Sequence, residues 1–133
     1  MKGWFGKAKR EYLKGNLDWL NDDVRPLLVS SAYTPSKNVN EFMSDISGQL
    51  TGGLGDALTG KTVSDAGVVD ADNGHVSAVP AGQTARWCVL VQYTGNPATS
   101  RVLIFTNQAV PLPIDTDGSD VHLIWSSAGI GEI

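Results

Sequence analysis

A single cysteine, Cys88, leaves the chain with no internal disulfide, and a lone cysteine inside an apolar run is ordinarily a small core residue. Charge is scarce: Asp, Glu, Lys and Arg make up 18% of the 133 residues, too few for a bundle of solvent-laced helices. No apolar run approaches the roughly 20 residues of a membrane-crossing helix. The basic first residues are not followed by the apolar segment and small-residue cleavage site of a secretory signal. A protein with no membrane contact, made in a reducing cytoplasm, is expected.

Catalytic motifs are missing too. No Gly-x-Ser-x-Gly nucleophile elbow occurs. The span from Gly55 to Gly60-Lys61-Thr62 nominally fits a phosphate loop. However, no strand directly precedes it and no helix is expected after it, so the match reads as chance. Neither acidic cluster, Asp65, Asp70 and Asp72 or Asp115, Asp117 and Asp120, follows the EF-hand calcium spacing. His75 and His122 would ligate a metal only if their strands were neighbours, with Asp70 or Asp120 as third ligand; nothing in their spacing calls for it. The expectation is a non-enzymatic protein with no catalytic, cofactor-binding or metal-binding residue, no cofactor and no nucleic-acid partner.

What is present is glycine, 15 residues of it, and short β-forming runs. The most informative stretch is Trp87 to Thr106. Trp87-Cys88-Val89-Leu90-Val91-Gln92-Tyr93 and Arg101-Val102-Leu103-Ile104-Phe105-Thr106 flank the turn formers Thr94 to Ser100. Two proline-free, nearly continuous apolar runs around a turn predict an antiparallel hairpin covered on both faces, in the middle of a sheet. Val24 to Ser30 is a further strand, which Pro26 places at an edge or near its start. Asn40 to Ile46 reads as one or two helical turns, and the glycine-crowded Ser47 to Gly60 as the least structured part. Short strands follow at Lys61 to Ser64 and Gly67 to Ala71. The turn Asp72-Asn73-Gly74 is expected to pair the latter with His75 to Val79. Val121 to Trp125 is the last full strand, and Trp87 and Trp125 read as core anchors. About seven strands with closely spaced turns predict a mainly β protein, an antiparallel sandwich or barrel with a short N-terminal helix.

Five of the 10 basic residues, Lys2, Lys7, Lys9, Arg10 and Lys14, crowd the N-terminus of a chain with net charge -4. Trp4 to Leu13 reads as a helix with Trp4, Phe5, Ala8, Tyr12 and Leu13 near one face. Residues 1–15 are therefore expected to be a helical docking arm on a single β-sandwich domain, 16–133. Trp4, Phe5 and Tyr12 would anchor an interface and Lys7, Lys9 and Arg10 would meet an acidic neighbour. The C-terminal segment, with Ile130 and Ile133, would add to a neighbour's sheet edge. Removing residues 1–14 should then leave the domain folded.

The order of these segments resembles a family of small structural proteins encoded among the virion genes of tailed bacteriophages. The resemblance is carried by Leu13-Lys14-Gly15-Asn16-Leu17-Asp18, by Asp22-Asp23-Val24-Arg25-Pro26-Leu27-Leu28-Val29, and by Tyr33-Thr34-Pro35. It continues through Phe42-Met43-Ser44-Asp45-Ile46, Leu58-Thr59-Gly60-Lys61-Thr62-Val63 and Val69-Asp70-Ala71-Asp72. Tyr93 to Arg101, Asp117-Gly118-Ser119-Asp120-Val121 and Ile124-Trp125 complete it. The chain departs from the pattern at Arg86-Trp87-Cys88 and at the shortened glycine-rich stretch near Gly52. The resemblance implies a virion protein assembled in the host bacterial cytoplasm. Its role would be capsid accessory or decoration, with a tail- or fibre-associated role as alternative. It implies other virion subunits as partners, and virion symmetry suggests a trimer or larger ring. A carbohydrate- or receptor-binding module is the alternative of another class; it would need an exposed aromatic pair such as Trp19 and Tyr33.

Overall fold

The hairpin of Trp87–Gln92 and Arg101–Thr106 lies at the heart of a five-stranded antiparallel sheet. A computed structural model describes residues 1–132; Ile133 lies outside the described residues. In chain order the elements are β1 (Lys2–Trp4), α1 (Gly6–Leu13), β2 (Val24–Val29), β3 (Gln49–Leu54), β4 (Thr62–Val63), β5 (Val68–Asp70) and β6 (Gly74–Val76). They continue with β7 (Thr84–Ala85), β8 (Trp87–Gln92), β9 (Arg101–Thr106), β10 (Ile114–Asp115), β11 (Val121–Leu123) and β12 (Gly131–Glu132). A short 3-10 turn, Met43–Asp45, stands where a longer helix was an option.

The large sheet runs β1-β9-β8-β2-β3. Its core is made by the runs that are apolar at nearly every position: Leu27, Leu28, Leu90, Leu103, Ile104 and Phe105 are fully buried. Removing such side chains from water stabilises the fold by about 1.5–3 kcal/mol each, which is why the sequence needs cover on both faces. That cover comes from smaller antiparallel sheets, β12-β5-β4, β11-β6 and β10-β7, with β12 against β1 and β6 against β2. The result is the expected mainly β, sandwich-like fold with one short helix. No helix among the described residues is long and apolar enough to cross a membrane.

Four expectations need correction. First, the N-terminal segment is not wholly helical: Lys2–Trp4 form a strand of the main sheet. β1 pairs with β9, Trp4 opposite Ile104, and the Phe5 N–H donates to the Leu103 carbonyl at 2.9 Å. The helix therefore starts only at Gly6. Second, of the two positions Pro26 allows, an edge or near the strand's start, the edge does not hold: β2 is internal, paired with β8 on one side and β3 on the other. Pro26 is tolerated near its start: its carbonyl accepts the Gly55 N–H at 2.7 Å where β3 has already ended, so the missing donor falls beyond the ladder. Third, the glycine-rich segment contains β3. Fourth, β5 does not pair with β6. It lies between β4 and β12, while β6 pairs with β11. Long-range partners outweigh the local Asp72-Asn73-Gly74 turn signal.

The outer edge of β3 is occupied by a side chain. Gln83 accepts the Thr51 N–H at 2.8 Å through Oε1, and its Nε2 donates to the Thr51 carbonyl at 3.1 Å.

Candidate functional site

The strand β1, the helix and the loop that follows build an apolar groove. Trp4 and Tyr12 meet edge to face at 5.2 Å, and Trp4 and Trp19 at 6.4 Å. The Trp19 indole N–H donates to the Thr62 carbonyl at 3.2 Å, fixing the loop against β4. These aromatics, with Leu17, Leu20, Val63 and Val69, line a space of ≈ 370 Å³, a size able to take a large side chain. Leu20 and Val63 on its lining are half exposed, and Leu13 on α1 is 90% exposed. Asp18 and Tyr12 are its only ionisable lining groups. Burial, then the nearby Asp22 and Asp18, push the Tyr12 hydroxyl well above its usual value.

The expected docking residues divide sharply. Trp4 and Phe5 are buried, at 4% and 0% exposure, so neither is available as a free anchor. Trp4 packs under the groove with its Nε1 unpaired among the described residues, and Phe5 packs on Phe105 at 5.3 Å. Tyr12 is half-buried in the groove. Ile130 is buried, its N–H donating to the Val69 carbonyl, and β12 is already paired with β5. Ile133, expected at the same edge, falls outside the described residues.

Arg10 is spent within the fold. Its guanidinium bonds Glu11 at 2.9 Å and Glu41 at 3.2 Å. Glu11 is itself buried and also meets Arg101 at 3.4 Å and Lys14 at 3.6 Å. A buried carboxylate needs such company, and the cluster rivets α1 to the start of β9. The Asn16 amide and the Arg10 guanidinium hold the Glu11 carboxyl down at about 2. Lys7 and Lys9 form no ion pair among the described residues. Lys9 shares the outer face of α1 with Leu13, four residues on.

A second cluster lies on β6 and β11, away from the groove. In both strands the flanking residues point inward, so His75 and His122, directly opposite in register, point outward together. Their rings lie 4.9 Å apart. Asp56 reaches His75 Nδ1 at 2.6 Å and Asp120 reaches His75 Nε2 at 2.9 Å. The Asp120 and then the Asp56 contact raise the His75 pKa. Asp56 is in place because Gly55 passes so close to β6 that a Cβ there would sit 2.5 Å from the His75 carbonyl oxygen. Asp120 is held by accepting the Ala78 N–H at 2.8 Å. Ala78 has φ +44°, the one non-glycine residue in the left-handed region among those described. The condition set by the sequence, neighbouring histidine strands, is thus met with Asp120 and not with Asp70.

Other candidates dissolve. Burial pushes the Cys88 thiol up to about 12, leaving no reactive thiolate. Lys61 donates to the Asp22 carbonyl, not into a phosphate cradle. Trp19 and Tyr33 are each only 4% exposed, so they form no open aromatic pair. Asp72, Asp115 and Asp117 accept from Thr59, Thr84 and the Ser119 N–H. No protein-family model matches the chain, and no curated protein matches it.

Proposed function

We propose that this chain is a non-enzymatic structural protein of a tailed-phage virion, a capsid accessory that holds neighbouring subunits by its groove face. The observation that carries the binding half of this reading is the groove itself: an aromatic floor and an exposed Leu20 and Val63 on its lining, with an exposed Leu13 on the helix that supplies Tyr12. Such a surface is costly to leave in water and useful when covered. Its only titratable lining groups, Tyr12 and Asp18, make no acid-base pair for turnover. The virion half rests on the collinear segments from Leu13 to Trp125.

The occupant is a neighbouring virion subunit presenting a large apolar side chain flanked by carboxylates. The unpaired Lys9 beside Leu13 supplies the complementary charge.

The test is sedimentation of the purified chain with capsids, and separately with tails, of its source phage. Capsid binding at fixed stoichiometry, lost in a Leu13→Glu, Leu20→Glu double variant that melts like the wild type, is the expected result. Binding to tails alone would replace the capsid role with the tail or fibre role. Binding to neither, with a hit on a glycan array, would overturn the virion reading in favour of a carbohydrate-binding module.

A further inference from the structure

We propose that His75, Asp120 and His122 form a surface binding site for a late first-row divalent ion of the Zn²⁺ class. One donor atom from each of the three lies within 4.8 Å of the others. Two imidazoles and one carboxylate are a nitrogen-and-oxygen set that suits zinc or its neighbours and not calcium or magnesium, which ask for oxygen alone. With bonds of about 2.0–2.1 Å in a tetrahedral arrangement, the donors must sit roughly 3.3 Å apart. His75 Nε2 and Asp120 Oδ2 are already at 2.9 Å. Only His122 has to close in, by an ångström or so. It is exposed, and its ring packs on that of His75 at 4.9 Å and makes no hydrogen bond among the described residues, so no hydrogen bond has to break for it to turn.

The surroundings are those of a ligand set and not of a chance meeting of polar groups. Asp56 faces His75 Nδ1 at 2.6 Å, placed to hold the Nδ1 proton when Nε2 is given to the ion, and so aims Nε2 outward at Asp120. A carboxylate behind a ligating histidine is the usual way such rings are oriented. Asp120 is aimed likewise: one oxygen is tied to the Ala78 N–H, leaving the other for the ion. That tie is made to a residue in a strained backbone conformation, which the fold maintains at a cost. On binding, the ion takes the place of the proton between His75 Nε2 and Asp120 Oδ2; that proton leaves to solvent and no bond to carbon or change of oxidation state is involved. The fourth position faces water. The ion would join β6 to β11 and the residue before it, with the segment after β3 tied in through Asp56. This site is independent of the groove and of the virion reading.

The experiment is calorimetric titration of ZnCl₂ into the full chain in a non-chelating buffer at neutral pH. One saturable site per chain is expected, with side-chain NMR shifts at His75 and His122. His122→Ala removes an exposed residue, so the variant should melt like the wild type while binding falls at least a hundredfold. Asp56→Asn, a change to a positioning residue, should weaken binding about 10–100-fold. The absence of a one-to-one site, or unchanged binding in the His122→Ala variant, would overturn the proposal and leave the cluster as an imidazole clasped by two carboxylates.

Discussion

Trp4 stands directly opposite Ile104 across the β1–β9 ladder, and both side chains are buried. The first strand of the chain is thus an edge of the central sheet, closed onto a strand whose four central residues are all apolar and buried. Removing residues 1–14 takes away Trp4, Phe5 and Ala8 from the core and Glu11 from its ion cluster. Truncating one large buried aromatic costs about 3–5 kcal/mol, and a domain has only about 5–15 kcal/mol in total. The deletion should therefore unfold the protein, seen as loss of dispersion in an amide NMR spectrum. Lys9→Glu, by contrast, should leave that spectrum dispersed and its melting unchanged.

Glu11 gives the fold a pH dependence of known sign. Its carboxyl is held at about 2 in the folded chain, against about 4.3 when unfolded. A depressed carboxyl contributes stability that is complete above the unfolded value and is lost as pH falls toward the folded one. Glu11→Gln should be less stable than the wild type at pH 7. The gap should narrow between about pH 4.5 and pH 2, as read by urea unfolding at a series of pH values.

The parts of the fold that were legible in the sequence are those where local preference and burial agree. β8 and β9 are apolar at most positions and rich in β-branched and aromatic residues, so both propensity and apolar content point to a central hairpin. β3 was hidden because Thr51-Gly52-Gly53 has little strand preference of its own; β2 beside it supplies the reason to extend. Trp4 and Phe5 fit the apolar spacing of α1, so the sequence extends the helix back over the end of β1. Their burial is real, but it comes from the sheet. Of the expected docking residues Tyr12 does line the groove, but the groove itself needs Trp19 and Val63 brought together from separate segments. The meeting of His75 and His122 depends on β6 pairing with β11, a register that no local signal specifies.

Ala78 offers a stabilising substitution. A non-glycine residue in the left-handed region costs about 1–2 kcal/mol, and glycine there adds about 0.4–1 kcal/mol of unfolded-state entropy. Ala78→Gly should therefore raise stability by about 0.5–1 kcal/mol, measurable by urea denaturation.

Gly55 should tolerate no side chain. A Cβ would meet the His75 carbonyl oxygen at 2.5 Å and Pro26 Cγ at 2.7 Å, and the first of these is backbone that cannot swing aside. Gly55→Ala should cost about 1–3 kcal/mol by thermal or urea melting. Because Asp56 follows directly, the same variant should also lengthen the His75–Asp56 contact and alter the His75 imidazole NMR signals.

The amide of Gln83, folded back onto Thr51, has a bearing on how copies of this chain meet. A strand arriving from another molecule would need the very donor and acceptor that Gln83 has taken. At Thr51 the β3 margin of the main sheet is thereby closed to an added strand, the step by which unpaired margins seed fibres. A second copy of this chain can then meet that stretch of β3 only through its side chains, whose fixed shapes set the geometry of any contact there.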